Sequence, residues 1–178
     1  MPRHVVLLRG VNVGAHNRIA MPALRELLVD GGFGDVQTYL QSGNVVLSSP
    51  KKPAEVARTC KRAIAERFGL DIDVVVRSRA ELAEVVQRNP LGAVATNPKR
   101  YQVSFLASKP GADLERKLAD AAAEQERFVV HGREVYAWHP EGVARSKLWA
   151  LLAGRQLGVT ATARNWTTVT KLLELAEE

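Results

Sequence analysis

The chain of 178 residues is long enough for one large domain or two small, closely packed ones. Its hydrophobic content of 46% and charged content of 25% are typical of a globular protein with a sizeable core, and they exclude a largely disordered chain. No apolar run approaches the roughly 20 residues of a membrane-spanning helix, and the short apolar run after Arg3 is too brief for a signal peptide. We therefore expect a cytoplasmic protein without a membrane partner.

Residues that bind metals or form disulfides are few. The single cysteine, Cys60, excludes an internal disulfide, and its helical register with Val56 and Ile64 predicts a small core residue. The four histidines lack the close pairing that zinc sites use. We expect neither a metal nor a cofactor.

The net charge of +6 is concentrated in two segments. Residues 1–25 contain four arginines, residues 142–173 contain three arginines and two lysines, and neither segment has an acidic residue. The segments carry +4 and +5, so the rest of the chain carries −3. A localised positive surface suits an anionic partner. The alternative is that these cations are spread over solvated faces.

The first half of the chain predicts the order β-α-β-β-α-β of a ferredoxin-like unit. Apolar runs predict the strands, and proline at the start and glycine at the end mark the helices. The predicted elements are a strand at 5–8, a helix opened by Met21-Pro22 and ended by Gly31-Gly32, strands at 36–40 and 45–48, a helix from Pro53 to Gly69, and a strand at 72–77.

The second half predicts the same order less regularly, after a connecting helix around Leu82 and Val85. Its elements are a strand at 101–106, a helix at 114–122, a hairpin of strands 127–130 and 134–138, a helix capped by Ser146, a short extended piece at 159–163 and a final helix around Val169 and Leu172. No repeat of sequence accompanies this repeat of order.

We therefore predict an α+β protein of two ferredoxin-like subdomains packed together, with antiparallel or mixed sheets and helices on one face. The N-terminal subdomain spans residues 1–78, and residues 79–100 form a connecting helix and loop. The C-terminal subdomain spans residues 101–178 and includes the extra helix at the end of the chain.

A loop of about ten residues follows the first predicted strand, which is longer than most strand-to-helix connections. Gly10 and Gly14 permit close backbone approach. The loop region also carries donors for an oxyanion or a base edge, namely Arg9, Asn12, His16, Asn17 and Arg18. Its spacing matches neither phosphate-binding glycine motif, and a purely structural loop, with asparagines in its turns, is the alternative.

The turn Gln41-Ser42-Gly43-Asn44 joins the second and third predicted strands. In a β-α-β-β unit this turn lies at the sheet edge where the first strand ends, and the third strand is expected beside the first. Gln41, Ser42 and Asn44 are therefore expected to face Arg9 and Asn12 across one polar edge.

Two further candidates lie in the second basic segment. Ser146 is predicted to cap a helix between Arg145 and Lys147, which favours an anion site, while simple capping and a serine nucleophile are the alternatives. The last helix opens on a segment whose cations and aromatic ring suit a base or nucleotide, although a core position for the tryptophan is the preferred interpretation. Its candidate residues are Arg164, Asn165, Trp166 and Lys171.

The chain closely resembles the bacterial family called domain of unknown function 1697. The resemblance is carried by the segments LLRGVNVG, MPALREL, GFGDVQTYLQSGNVV, ARSKL and TARNWTTVTKL, whose order and spacing cover essentially the whole chain. It implies an α+β protein built from ferredoxin-like parts and transfers no catalytic residues.

These observations predict a protein that holds an anionic ligand, phosphate-bearing or nucleotide-like, at a composite basic and polar site. A nucleic-acid-binding module is one alternative, although the aromatic-rich sheet motif of such modules is absent. A homo-oligomeric structural or interaction protein without catalysis is the other. The sequence leaves open whether the protein is an enzyme, since no carboxylate lies within either basic segment to act as a base.

Overall fold

Apolar strands alternate with amphipathic helices along the chain, and the computed structural model, which describes residues 1–178, shows a mixed α+β fold. It has two four-stranded antiparallel sheets and six helices. The strands are β1 (Arg3–Leu8), β2 (Gly34–Tyr39), β3 (Asn44–Ser48), β4 (Val74–Ser78), β5 (Tyr101–Leu106), β6 (Arg127–His131), β7 (Glu134–Trp138) and β8 (Ala161–Asn165). The helices are α1 (Met21–Asp30), α2 (Pro53–Phe68), α3 (Arg79–Arg88), α4 (Leu114–Ala121), α5 (Lys147–Ala153) and α6 (Trp166–Glu177).

The chain divides into two compact units, each with one sheet. The first unit comprises residues 1–84 and 171–178, and the second comprises residues 85–170. The end of α6 thus belongs to the first unit, where the Arg3 guanidinium donates to the Leu175 carbonyl at 3.2 Å. None of the helices has the length and apolar composition needed to cross a membrane.

The first sheet has the order β2-β3-β1-β4, so β3 lies beside β1 as predicted. Val6 of β1 pairs with Val45 of β3 and with Val76 of β4, which places these three side chains on one face. Helices α1 and α2 cover that face with their apolar stripes.

Cys60 of α2 lies in this core and is fully buried. Burial raises the pKa of its thiol to about 12, more than the positive charge of Lys51 lowers it. The thiol is therefore neutral and unreactive at physiological pH, and the predicted core position of Cys60 is confirmed.

The second sheet has the order β6-β7-β5-β8, the same relative order as the first. Helices α4 and α5 pack on the face that carries Leu106, Val135 and Ala137. The extended piece predicted at 159–163 is strand β8, which begins at Ala161, two residues later, and runs directly into α6.

Candidate functional site

The loop after β1 is closed by the side chain of Asn12, whose backbone has a positive φ of 56°. Its Nδ2 donates to the carbonyls of Ile19 at 2.9 Å and Gln41 at 2.6 Å, and its Oδ1 accepts from the Ile19 amide at 2.9 Å. Asn12 and Gln41 therefore meet, but through the Gln41 backbone, and the Asn12 amide is used to hold two loops together.

The turn between β2 and β3 is shaped by the buried side chain of Asn44. The Asn44 Nδ2 donates to the Tyr39 carbonyl at 3.0 Å and to the Ser42 hydroxyl at 2.9 Å. The Leu8 amide donates to the Gly43 carbonyl at 2.9 Å, which joins the end of β1 to this turn. Ser42 and Asn44 thus stabilise the turn at the sheet edge.

A cavity of about 370 Å³ lies between these two loops and is called here the loop cavity. Its lining consists of Asn12, Arg18, Ile19, Ala20 and Gln41. The other candidates of the first unit lie outside this lining: Arg9, His16, Asn17, Ser42 and Asn44. His16 pairs with Val13 in a single β-bridge, and the Asn17 amide donates to the Gly10 carbonyl at 3.4 Å.

A larger cavity of about 750 Å³ lies within the second unit and is called here the charged cavity. One wall is the C-terminal end of α4 with the turn that follows it, residues 120–126, and the other is the loop before α5 with the first residue of that helix, residues 141–147. The three predicted residues Arg145, Ser146 and Lys147 all line it. Both walls also contribute acidic side chains, which are Asp120, Glu126 and Glu141.

Four charged side chains at the charged cavity are exposed and form no hydrogen bond or ion pair. They are Asp120, Glu141, Arg145 and Lys147. These charges are hydrated and are not neutralised by another side chain of the protein. The charged cavity therefore presents both signs of charge to an incoming molecule.

The Glu126 carboxylate is the buried anchor of the charged cavity. Its Oε2 accepts from the Ser146 hydroxyl and from the His139 Nδ1, each at 2.6 Å, and its Oε1 accepts from the Ala123 amide at 2.9 Å. The Ser146 Oγ also accepts from the Trp149 amide at 3.0 Å, so Ser146 caps α5 as predicted. One carboxylate thus ties the two walls together.

Electrostatics favour the ionised form of Glu126. Burial by itself raises the pKa of this carboxyl, but the hydrogen bonds from Ala123, Ser146 and His139, with the charge of His139, outweigh burial and lower the pKa. An ionised carboxylate has no proton to donate and can only accept, so His139 donates through Nδ1. The His139 Nε2 is buried and has no hydrogen-bond partner.

The position of this pair follows from the β6–β7 hairpin. Arg127 pairs with Trp138 as the outermost pair of the hairpin, so Glu126 and His139 come one step further out on opposite strands. The His139 amide donates to the Arg100 carbonyl at 3.0 Å, which holds that end of β7. Reasoning from sequence missed Glu126, although extending the predicted hairpin by one pair places it opposite His139.

The geometry around Ser146 does not resemble that of a serine nucleophile. In nucleophilic triads the hydroxyl donates to one ring nitrogen of histidine while the acid holds the other. Here the Ser146 hydroxyl donates to Glu126, whose lowered pKa makes it a weak base, and His139 contacts the same carboxylate through Nδ1. The arrangement supports a rigid binding wall more than covalent chemistry.

The candidates near the start of α6 are occupied by structural contacts. Arg164 is buried, its Nη1 donates to the Thr162 hydroxyl at 2.7 Å, and burial lowers its pKa to about 10. The Asn165 Oδ1 accepts from the Thr168 amide at 2.9 Å, and the half-buried Trp166 ring stacks on Tyr101 at 4.8 Å. The Lys171 ammonium donates to Glu174 at 3.2 Å.

The fold and these sites define a two-unit α+β protein with a charged cavity in its second unit. The chain belongs to the family described as protein of unknown function (DUF1697), whose sequence profile matches residues 1–136, so the predicted resemblance is confirmed. The match includes Glu126 and ends before the loop that carries Arg145, Ser146 and Lys147.

Among solved structures, the conserved bacterial protein SP0830 from Streptococcus pneumoniae is similar over 98% of both chains, with a TM-score of 0.77 and 20% identity. A likeness at this identity shows a common fold. No curated protein matches the chain.

Proposed function

We propose that the protein binds a small anionic ligand, such as a phosphate ester, in the charged cavity. The observation that carries this proposal is the pair Arg145 and Lys147, which flank Ser146 on the cavity wall and have no acidic partner of their own. Cations that are not neutralised within the protein are available to an anion at no cost in broken ion pairs.

The dimensions and rigidity of the charged cavity support the same proposal. A volume of about 750 Å³ lies within the range of roughly 300–1,000 Å³ that small-molecule sites occupy. The bonds of Glu126 to Ser146 and His139 hold the walls in place before a ligand arrives. A preformed site loses less conformational entropy on binding than a mobile one.

The proposal narrows the composite site predicted from sequence to the charged cavity. Arg164, Asn165 and Trp166 use their polar atoms or rings within the fold. Asn12 and Asn44 hold loops and turns in the first unit. Arg145, Ser146 and Lys147 are the predicted residues that line the larger of the two cavities.

A ferredoxin-like arrangement of each unit is part of the same proposal. It is supported by the element order β-α-β-β-α-β in both units and by the common strand order second-third-first-fourth. In this arrangement the ligand would lie at the helix-covered side of the second sheet, between α4 and α5.

Isothermal titration with 2-hydroxyethyl phosphate tests the proposed function. The double variant Arg145→Gln, Lys147→Gln is expected to bind about tenfold more weakly or worse, since two charge-assisted contacts are lost. The matched control is Arg116→Gln, Arg155→Gln, which removes the same charge from exposed positions outside the cavity lining. Equal weakening by both double variants, or no binding by the unaltered protein, would contradict the proposal.

A further inference from the structure

We propose that the ligand of the charged cavity is a zwitterion, with an ammonium group that contacts Asp120 and Glu141 and an anionic group that contacts Arg145 and Lys147. This inference rests on the proposed function and adds a second, opposite charge to the ligand. Its chemical class is an aminoalkyl phosphate or a compound of the same charge pattern.

The balance of charge in the lining is the first argument. The Glu126 carboxylate already accepts from Ala123, Ser146 and His139, so the charges left for a ligand are two acids, Asp120 and Glu141, and two bases, Arg145 and Lys147. A phosphate alone contacts the two bases and leaves the two acids without a partner. An ammonium group on the same molecule gains contacts with those acids.

The second argument is that the opposite charges do not pair with one another. Asp120 and Glu141 share the cavity with Arg145 and Lys147, yet none of the four forms an ion pair in the structure. Side chains that are close enough to line one cavity and do not neutralise each other leave both signs available. A zwitterion satisfies both signs in a single binding event.

The third argument is the local polarity of the wall formed by the end of α4 and the turn that follows it. Asp120 lies in the last turn of α4, and the cavity lining continues through Ala121 and Ala122. The last carbonyls of a helix lack partners within the helix and form the negative end of its dipole. A cation at this wall is therefore favoured by the backbone as well as by the Asp120 carboxylate.

Each wall is shaped by hydrogen bonds that do not involve the four charges. The Arg100 guanidinium donates to the Pro140 carbonyl, and the Gly142 amide donates to the His139 carbonyl at 2.9 Å, which shapes the turn that carries Glu141. The Ala123 amide donates to Glu126 at 2.9 Å, which shapes the opposite wall. The backbone of both walls is thus held in place before a ligand contacts them.

Calorimetric comparison of 2-aminoethyl phosphate with 2-hydroxyethyl phosphate tests the inference, because the two probes differ in one terminal group. We expect the amino compound to bind about tenfold more tightly. In the double variant Asp120→Asn, Glu141→Gln this preference is expected to vanish, while 2-hydroxyethyl phosphate binds as well as before or better. The control variant Glu66→Gln, Glu115→Gln removes the same charge from exposed positions outside both walls and should keep the preference.

The outcomes separate the two proposals. Equal affinity for the two probes, or a preference that survives Asp120→Asn, Glu141→Gln, overturns the zwitterion and leaves the anion site standing. Absence of binding by both phosphate esters overturns the anion site itself, as does binding of ethanolamine alone. Vesicles containing phosphatidylethanolamine distinguish a lipid headgroup from a free ester, since only the former makes the protein sediment with the vesicles.

Discussion

Glu126 and His139 face each other one residue beyond the last pair of the β6–β7 hairpin, and a 2.6 Å hydrogen bond joins the Glu126 Oε2 to the His139 Nδ1. The same carboxylate oxygen accepts from Ser146 at the start of α5. The buried Glu126 carboxylate therefore joins the β6–β7 hairpin, the turn after α4 and the N-cap of α5. These contacts position both walls of the charged cavity.

The first prediction concerns the charge of Glu126. The Glu126→Gln variant keeps the size of the side chain but replaces one carboxylate oxygen with an NH₂ group that donates, so it cannot accept from Ala123 at one position and from Ser146 and His139 at the other. We expect the free energy of unfolding at pH 7 to fall by about 1–3 kcal/mol. Urea denaturation of this variant beside Glu124→Gln, an exposed neighbour, measures the difference.

The stability of the unaltered protein is expected to depend on pH more strongly than that of Glu126→Gln. The folded-state pKa of Glu126 lies below its ordinary value of 4.5, so its stabilising contribution is present above that value and is lost as the pH falls through the lowered pKa. The unaltered protein should therefore lose more stability on acidification below about pH 4.5 than Glu126→Gln does. Parallel pH profiles for the two proteins would contradict the assignment of an ionised Glu126.

Replacement by alanine is expected to have different effects on stability at two serines of the second unit. Ser146 bonds to Glu126 and caps α5, so Ser146→Ala should lower the free energy of unfolding by about 2–4 kcal/mol. Ser104 is buried and its hydroxyl has no partner, so Ser104→Ala should leave stability unchanged or raise it by about 1 kcal/mol. Thermal and urea unfolding of both variants check the contrast, and equal destabilisation would show that the contacts of Ser146 carry no special weight.

The side-chain amide of Asn12 is expected to stabilise the loop that lines the loop cavity. Asn12 and Asn17 both have positive φ, 56° and 52°, so alanine introduces similar backbone strain at each. Asn12 makes three side-chain hydrogen bonds between 2.6 and 2.9 Å, whereas Asn17 makes one at 3.4 Å. Asn12→Ala should therefore be less stable than Asn17→Ala by about 2–3 kcal/mol. Chemical denaturation measures this, and amide exchange at Ile19 should accelerate only in the Asn12 variant.

Alanine is expected to destabilise the protein more at Gly43, in the turn beside β1, than at Gly10. A Cβ at Gly43 would lie 2.6 Å from the Leu8 Cβ and 2.8 Å from the Val11 Cγ2, and its φ is 85°. Gly10 also has a positive φ, 67°, but a Cβ there has no atom within 4 Å. Gly10→Ala should show strain alone, about 1–2 kcal/mol, and Gly43→Ala should cost about 1–3 kcal/mol more. Similar unfolding midpoints for the two variants would contradict the packing of Gly43 against β1.

Local pattern predicted most elements because each element carries its own signal. The helix that begins at Pro53 and ends before Gly69, where φ is 67°, and the cap at Ser146 are confirmed at the predicted residues. The direct continuation of β8 into α6 without an intervening loop, and the stacking of Trp166 on Tyr101, were harder to predict because both depend on tertiary structure.

The candidate site was harder to predict for a physical reason. An asparagine amide suits a ligand and a backbone carbonyl equally well, and only the loop geometry shows that Asn12 bonds to Ile19 and Gln41. Glu126 lies outside both basic segments, so charge patterning did not indicate it. The register of the β6–β7 hairpin brings Glu126 beside His139, thirteen positions later in the chain.

The most direct test of the central account maps where a phosphate ester binds. Titration of the isotopically labelled protein with 2-hydroxyethyl phosphate, followed by amide chemical shifts, should produce saturable changes at residues 120–126 and 141–147, the two walls of the charged cavity. The Arg145→Gln, Lys147→Gln variant should lose those changes. Saturable changes confined to the loop cavity around Asn12 and Arg18, or none in either cavity, would contradict the account.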